Sequence, residues 1–177
     1  MKEQTKIISL IGMTGCGKTS VGKILAKKLG ARFIDLDDEI VRRYGEVKRI
    51  FDERGESGFR ELEYETLGEI IEAAVQPTLL SCGGGAPTYQ PSRELLAART
   101  LVIWLRRGID SIGNDSVILT RPPVNGSMEN YKRLMNERYP IYRSIADYSF
   151  YNSFPQRTAA AIAKKLKNPA ESHEKSN

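Results

Sequence analysis

The sequence predicts an α/β fold in which a parallel β-sheet lies between two layers of helices. Apolar runs typical of buried strands alternate along the chain with helical stretches, and this alternation indicates a parallel sheet covered on both faces. A glycine-rich segment follows the first apolar run and leads into a helix, which is the setting of a phosphate-binding loop. The 177 residues suffice for one domain with a substantial core, and we expect residues 1–167 to form it.

Apolar periodicity and helix-stop residues define each predicted element. Strands are expected where apolar residues run together, and helices are expected to end at glycine or before proline. The five predicted strands are Ile7–Ile11, Arg32–Ile34, Thr78–Cys82, Leu101–Leu105 and Tyr148–Tyr151. The predicted helices are 20–29 (beginning near Lys18), 38–44, 47–53, 59–74, 91–98, 127–138 and 155–167. The polar residues 168–177 are expected to form a disordered tail.

Individual residues justify the bounds of the helices. Asp38 is the expected cap of the helix that starts there, and Gly45 and Gly55 interrupt the helical pattern that follows. Ser127 is a typical N-cap, and Pro155 suits the first turn of the last helix. Residues 106–126, which we call the lid, show little amphipathic pattern and are too long for an ordinary connection. Segments of this kind are usually functional.

Composition and charge restrict the class of protein. The hydrophobic content of 40% and the charged content of 28% are ordinary for a soluble globular domain. The net charge is +5, but Lys and Arg are scattered rather than gathered in a tract, so we expect an enzyme that binds anionic groups and no nucleic-acid partner. No apolar run is long enough to cross a bilayer and no secretory signal is recognisable, so we expect a cytoplasmic protein with no membrane partner.

The few cysteines and the single histidine exclude several chemistries. Cys16 and Cys82 lack metal or redox spacing, although both lie in glycine-rich loops after strands and could approach each other. Oxidation of Cys16 could block a phosphate site, the alternative being an inert small residue. The only histidine, His173, lies in the tail, so the folded part can build neither a Ser–His or Cys–His nucleophile pair nor a histidine-based metal site.

The segment Gly12–Thr19 matches the pattern G-x-x-x-x-G-K-[ST]. Glycine permits backbone angles that a Cβ forbids, so successive N–H groups can turn inward around an anion. Lys18 would reach the outer phosphates, and the Thr19 hydroxyl would bind Mg²⁺ directly. We therefore predict nucleoside triphosphate binding, with a plain glycine-rich turn as the alternative. The residues expected to bind it are Thr14, Gly15, Cys16, Gly17, Lys18 and Thr19.

Three further segments should join this loop in one cleft. Ligands of parallel sheets bind beyond the carboxyl ends of the strands, where Asp35 and Asp37, Gly83–Gly85 and the lid all begin. Because Asp35 and Asp37 are two residues apart on an extended segment, one can face Mg²⁺ through its waters while the other faces an acceptor hydroxyl. A solvated acidic turn is the alternative for this pair.

Three arginines are candidates for binding anions in the same cleft. Arg60 and Arg143 can clamp a carboxylate with paired hydrogen bonds, which lysine cannot imitate. Arg121, in the lid, could lie over a phosphoryl group in transfer. Read singly, each of the three could be an ordinary surface charge, so the surrounding pattern has to decide.

That pattern resembles the shikimate kinase family over nearly all of residues 5–167. The resemblance rests on five segments after the phosphate loop, in matching order and spacing. They are Asp35-x-Asp37, Ile50-Phe51-x-x-x-Gly55-Glu56-x-x-Phe59-Arg60-x-x-Glu63, Ser81-x-Gly83-Gly84-Gly85-Ala86 with Arg121-Pro122, and Arg138-x-x-x-Tyr142-Arg143-x-x-Ala146.

The resemblance implies a three-layer P-loop kinase fold of the nucleoside-monophosphate-kinase type, with a five-stranded parallel sheet and a lid. It also implies ATP- and Mg²⁺-dependent phosphorylation of the 3-hydroxyl of shikimate, on the route to chorismate and the aromatic amino acids. The catalytic residues would be Lys18, Asp37 and Arg121, and Asp35 would support Mg²⁺ through water. Arg121 would also contact ATP. The shikimate-binding residues would be Asp37, Arg60, Gly83, Gly84, Gly85 and Arg143.

Some positions depart from the family pattern, and other functions stay open. Asn114 and residues 152–154 stand where the family has basic residues on the adenine side, and Pro123 replaces the leucine usual after Arg-Pro in the lid. These departures suggest looser ATP affinity or weaker base selectivity. A gluconate kinase-like enzyme and a non-catalytic nucleotide-binding regulator are the alternatives. A GTPase is disfavoured because the chain has no Asn-Lys-x-Asp motif. A monomer is the default expectation.

Overall fold

The computed structural model describes residues 6–109 and 127–168. The five strands within these ranges are β1 (Ile7–Ile11), β2 (Arg32–Asp35), β3 (Thr78–Ser81), β4 (Leu101–Arg106) and β5 (Tyr148–Tyr151). The helices are α1 (Lys18–Leu29), α2 (Leu36–Tyr44), α3 (Val47–Glu72), α4 (Gln90–Arg99), α5 (Met128–Ile145) and α6 (Pro155–Lys167), with a short 3₁₀ turn at Ala86–Thr88. The lid residues 110–126 and the tail residues 169–177 lie outside the described residues.

All five strands are parallel and form one sheet in the order β2-β3-β1-β4-β5. The central strand β1 contributes alternate side chains to two hydrophobic clusters, one on each face of the sheet. Leu10 packs with residues of α1 and α6, whereas Ile11 packs with residues of α3 and α5. The prediction of a parallel sheet between two helical layers is therefore confirmed, and every strand lies where the sequence placed it to within one residue at either end.

Two helices differ from their predicted bounds for reasons that the structure shows. The helix expected to start at Asp38 starts at Leu36 instead, because Asp35 caps it by accepting a hydrogen bond from the backbone N–H of Asp37 at 3.2 Å. The helix expected to end near residue 138 continues to residue 145 through Pro140. Packing of its tyrosines against Trp104 of β4, with ring centroids 5.0 and 6.0 Å apart, offsets the hydrogen bond that the proline removes.

The break predicted at Gly55 is present as a kink within α3. Gly55 has φ 67° and ψ −176°, so the helical path is interrupted there although helical hydrogen bonding resumes on both sides. Phe59 and Arg60 lie in the segment after the kink and are both buried. Among the described residues, no helix combines the length and apolar character needed to span a bilayer.

Candidate active site

The carboxyl ends of β1, β2 and β3 bring the predicted segments together. A Cβ placed on Gly84 would lie 3.3 Å from the backbone nitrogen of Thr14, so the loop after β3 contacts the phosphate loop directly. A Cβ placed on Gly83 would lie 2.7 Å from Oδ1 of Asp37, which follows β2. One cleft edge is therefore shared by the phosphate loop, the acidic segment after β2 and the triple glycine.

Glycine is required in the phosphate loop for two reasons. Gly12, Gly15 and Gly17 have φ values of 142°, 80° and 91°, which L side chains rarely adopt. In addition, a Cβ on Gly12 would collide with the carbonyl oxygen of Leu105, and one on Gly17 would collide with the side-chain amide of Asn152. The loop therefore takes its predicted conformation in contact with the ends of β4 and β5.

Lys18 and Thr19, at the start of α1, face this loop and the acidic segment. Nζ of Lys18 donates to the carbonyl oxygens of Gly12 at 2.9 Å and Met13 at 3.0 Å, so the ammonium lies over the loop. The Thr19 hydroxyl donates to Oδ2 of Asp35 at 2.7 Å. A hydroxyl and a carboxylate thus lie side by side at the helix N-terminus, where the helix dipole also favours a phosphate.

The Thr19 hydroxyl and the Asp35 carboxylate suit a Mg²⁺ ion that is held largely by water and substrate phosphates. They do not suit a metal ion that is bound by protein side chains alone. Within the described ranges there is no group of three or more His, Cys, Asp or Glu side chains that could bind a metal. Mg²⁺ usually keeps several waters and takes one or two protein oxygens together with substrate phosphates. The Thr19 hydroxyl and the Asp35 carboxylate supply such oxygens beside the phosphate loop.

Arg60 is held beside the triple glycine by two glutamates of α3. Its Nη1 donates to Oε2 of Glu63 at 2.7 Å and its Nη2 to Oε1 of Glu56 at 3.3 Å, and only 8% of the residue is exposed. A Cβ on Gly85 would collide with the guanidinium, so the cation lies directly against the glycine backbone. Nε of Arg60 and Oε1 of Glu63 are buried and have no hydrogen-bond partner among the residues that the structure describes. Polar atoms of this kind indicate a place where a ligand or water completes the bonding.

Glu63, which the sequence analysis names only within a motif, is fully buried beside Arg60. Burial, together with the nearby Asp37 carboxylate, raises the pKa of its carboxyl to about 7 against the opposing effect of Arg60 and Arg138. A Cβ on Gly83 would lie 2.6 Å from its Oε1. The buried Glu63 carboxyl therefore lies close to the Asp37 carboxylate and to the guanidiniums of Arg60 and Arg138.

The structure does not bring Arg143 into this cluster, contrary to the predicted pairing with Arg60. Its side chain is exposed on α5, one residue beyond the buried Tyr142. Arg138 is 6% exposed instead, and its Nη1 would lie 3.5 Å from a Cβ on Gly84. The reason is helical geometry: residues 138 and 142 are four apart and share the inward face, whereas residue 143 is rotated by roughly 100° from it.

Tyr142 fixes Gly84, which belongs to the loop after β3 and contacts the phosphate loop. Its hydroxyl donates to the carbonyl oxygen of Gly84 at 2.5 Å and lies 3.7 Å from the sulfur of Met13 in the phosphate loop. Burial raises the pKa of this phenol, so the hydroxyl stays protonated and remains a donor at neutral pH. The signal for both Arg138 and Tyr142 in the sequence was their spacing with Tyr131 and Leu134 on one helix face.

The two cysteines lie on opposite sides of the sheet. Cys16 is 1% exposed and packs in the cluster of α1 and α6, whereas Cys82 packs in the cluster on the other face, and both thiols are free. Burial raises the pKa of the Cys16 thiol despite the nearby Lys18 ammonium. Since the thiolate is the reactive form, we expect Cys16 to be chemically inert. Of the two alternatives for this residue, this favours an inert small side chain over one that blocks the phosphate site when oxidised.

The adenine-side positions are only partly described. Asn114, Arg121 and Pro123 belong to the lid residues outside the described ranges. Asn152 is 3% exposed and its amide donates to the carbonyl oxygen of Cys16 at 2.8 Å, so it serves the phosphate loop. Phe154 is largely exposed, with the Arg157 guanidinium 5.3 Å from its ring centroid. Weaker base selectivity stays a prediction.

Comparison with known proteins finds relatives that match most of the chain. The family model described as shikimate kinase matches residues 14–168. A shikimate kinase of Francisella tularensis subsp. novicida is 42% identical over 148 residues, which cover 81% of this chain and 84% of that protein. The solved structure of shikimate kinase from Acinetobacter baumannii in complex with shikimate is 32% identical, covers 94% of this chain and 95% of that one, and superposes with a TM-score of 0.85.

The same comparisons bear on the gluconate kinase alternative. A gluconokinase from Sinorhizobium meliloti covers 92% of this chain and 96% of its own, but with 16% identity and a TM-score of 0.54. That likeness shows a common fold alone, so the alternatives are not favoured. By family match, sequence identity and fold, the chain belongs to the shikimate kinase family, whose enzymes use ATP with Mg²⁺ to phosphorylate shikimate.

Proposed function

We propose that this protein binds shikimate against the triple glycine and transfers the γ-phosphoryl group of ATP to its 3-hydroxyl. The observation that carries the proposal is the pair of buried guanidiniums, Arg60 and Arg138, beside glycines that touch the phosphate loop. Guanidiniums recognise a carboxylate by paired charge-assisted hydrogen bonds. The site can therefore hold a small hydroxy acid next to the triphosphate.

On the nucleotide side, the phosphate loop and Lys18 would bind the triphosphate. The Lys18 ammonium lies on loop carbonyls within reach of an entering phosphate, and would exchange these contacts for the more favourable ones to phosphate oxygens. Thr19 would bind Mg²⁺ directly and Asp35 would bind one of its waters, because the two side chains lie 2.7 Å apart. When bound, Mg²⁺ neutralises charge on the outer phosphates.

On the acceptor side, Asp37 would orient the 3-hydroxyl and accept its proton. Its Oδ1 lies beside Gly83, as does Oε1 of Glu63, the carboxylate that pairs with Arg60. We assign the shikimate carboxylate to Arg60 and Arg138, and this assignment replaces the expected role of Arg143. Gly83, Gly84 and Gly85 let the ring approach the backbone, because a side chain at any of them would meet Asp37, Thr14 or the Arg60 guanidinium.

Arg121 would stabilise charge on the phosphoryl group in transfer. This role comes from the family resemblance alone, because Arg121 lies outside the described residues. We further propose that residues 1–167 form one domain and that the protein acts as a cytoplasmic monomer without nucleic-acid or membrane partners. Sedimentation of the purified protein tests the monomer directly.

The decisive experiment offers purified protein two acceptors. With ATP and Mg²⁺, ADP release measured by a coupled assay should require shikimate, and mass spectrometry should find shikimate 3-phosphate. Gluconate at the same concentration serves as the matched control and should give no more ADP than ATP alone. Equal turnover with gluconate, or no transfer to shikimate, would contradict the proposal.

A further inference from the structure

The carbonyl groups of the phosphate loop are held from outside by side chains that are distant in sequence. The Tyr131 hydroxyl of α5 donates to the carbonyl oxygen of Thr14 at 2.9 Å. The Arg107 guanidinium, just after β4, donates to the carbonyl oxygen of Gly15 at 3.1 Å. As described above, Asn152 donates to the next carbonyl, that of Cys16. Three consecutive carbonyls are thus bonded by three donors from three different elements.

This arrangement has a direct consequence for the N–H groups of the loop. In a trans peptide the C=O of one residue and the N–H of the next point in opposite directions. Holding the carbonyls of residues 14, 15 and 16 therefore turns the N–H groups of residues 15, 16 and 17 the other way, and that of Cys16 also donates to the carbonyl oxygen of Met13 at 3.2 Å. Converging N–H groups are what a loop of this kind uses to bind phosphate oxygens.

Two of the three donors, Tyr131 and Asn152, are themselves fixed by their surroundings. Tyr131 is 1% exposed and lies in the hydrophobic cluster shared by α3 and α5. The carbonyl oxygen of the Asn152 side chain accepts a hydrogen bond from the Thr158 hydroxyl at 2.9 Å, which sets the orientation of its amide. A group locked by packing loses little further freedom when the ligand binds, and such preorganisation improves affinity.

We propose that Tyr131, Arg107 and Asn152 are positioning residues for the nucleotide, which hold the phosphate loop in its binding conformation before ATP arrives. The inference rests on the proposed nucleotide role of this loop. It concerns ATP and ADP alone and predicts no change at the shikimate side. None of the three residues needs to touch the nucleotide for this role.

Tyr131→Phe is the sharpest test, because it deletes one hydroxyl and keeps the ring. Tyr139→Phe is the matched control: Tyr139 lies on the same helix and packs edge-on against Trp104, with centroids 5.0 Å apart. We expect Tyr131→Phe to raise the ATP KM and the ADP Kd by roughly 2- to 12-fold, because the lost hydrogen bond contributes about 0.5–1.5 kcal/mol. The shikimate KM should stay within about twofold, as should all constants of Tyr139→Phe.

Calorimetric titration with ADP keeps this inference separate from the proposed reaction, because it needs no acceptor and no turnover. Wild-type protein that binds ADP but does not phosphorylate shikimate would refute the proposed function and leave the positioning test intact. An unchanged ADP Kd in folded Tyr131→Phe, or equal rises in the ATP and shikimate KM values, would overturn the positioning role.

If Tyr131→Phe fails to fold, Arg107→Gln tests the positioning role through the hydrogen bond to the Gly15 carbonyl oxygen. This change also removes a charge near the phosphates, so the ADP Kd is measured at about 0.05 M and about 0.5 M salt, where screening differs strongly. A rise in Kd over wild type that persists at high salt supports positioning. A rise that disappears at high salt shows a charge effect only and overturns the role of Arg107.

Discussion

Replacing Arg138 by alanine, with Arg143→Ala as its matched control, tests the assignment on which the acceptor site depends. The two arginines are five residues apart on α5, yet only Arg138 is buried beside Gly84. We expect Arg138→Ala to raise the shikimate KM strongly and Arg143→Ala to change it less than about twofold, as is usual for an exposed side chain without a special role.

The magnitude follows from the contact that would be lost. A hydrogen bond to a charged group contributes about 1.5–3 kcal/mol, which corresponds to a rise of roughly 10- to 150-fold in the shikimate KM. Arg138 also lowers the pKa of the buried Glu63 carboxyl, so its removal leaves more of that carboxyl protonated at neutral pH. Arg138→Lys keeps the charge but loses the paired geometry, and we expect it to recover only part of the affinity.

The assay is the coupled measurement of ADP release at varied shikimate and saturating ATP, followed by the reverse. The ATP KM should change little in either variant, because neither arginine contacts the phosphate loop through a hydrogen bond in the described part of the chain. Circular dichroism and thermal unfolding exclude misfolding of Arg138→Ala. If Arg143→Ala raised the shikimate KM as much as Arg138→Ala, the reasoning from burial and helix face would be refuted.

Three further outcomes are expected. Arg60→Ala should raise the shikimate KM while leaving the calorimetric ADP Kd nearly unchanged, and equal losses of both would show that the guanidinium does not act on the acceptor alone. Arg121→Ala should mainly lower kcat, by roughly 10³-fold or more, since its contact would strengthen as charge develops on the phosphoryl group in transfer. A change in KM alone would contradict this role. The pKa of Glu63 is raised from 4.5 to about 7, so the folded state holds this proton at pH values where the unfolded chain has released it. The resulting contribution to stability is present below about pH 4.5 and is lost as the pH rises through 7, so in urea unfolding wild type should lose stability relative to Glu63→Gln over this interval, and a constant difference would disprove the shift.

The positions of the strands could be read from the sequence because each depends on local pattern. A short apolar run followed by glycine or acidic residues identifies a buried parallel strand without knowledge of its neighbours. Helix bounds were less secure where packing overrides local preference. The cap of α2 is Asp35 rather than Asp38, and α5 passes through Pro140 because its tyrosines pack against Trp104.

The acceptor site was predicted only in part, for a related reason. Arg60 and the triple glycine were recognised from their motif, and both lie in the cleft. The choice between Arg138 and Arg143 depended on how far α5 extends and which of its faces is turned inward. A helix predicted to end at residue 138 could not supply that information, whereas the complete helix places Arg138 and Tyr142 on one buried face.

By itself, the sequence determined the alternating strands and helices, the phosphate loop and its binding of a triphosphate, because these depend on neighbouring residues and on glycines that allow positive φ. Tertiary structure alone decided which guanidinium joins Arg60, and which side chains hold the loop carbonyls. The donors at positions 107 and 152 are far from residues 14–16 along the chain and meet them because the sheet aligns the ends of β1, β4 and β5 at one edge, whereas Tyr131 reaches them from α5. Contacts between distant segments carry no local signature, so folding has to assemble them before they can be recognised.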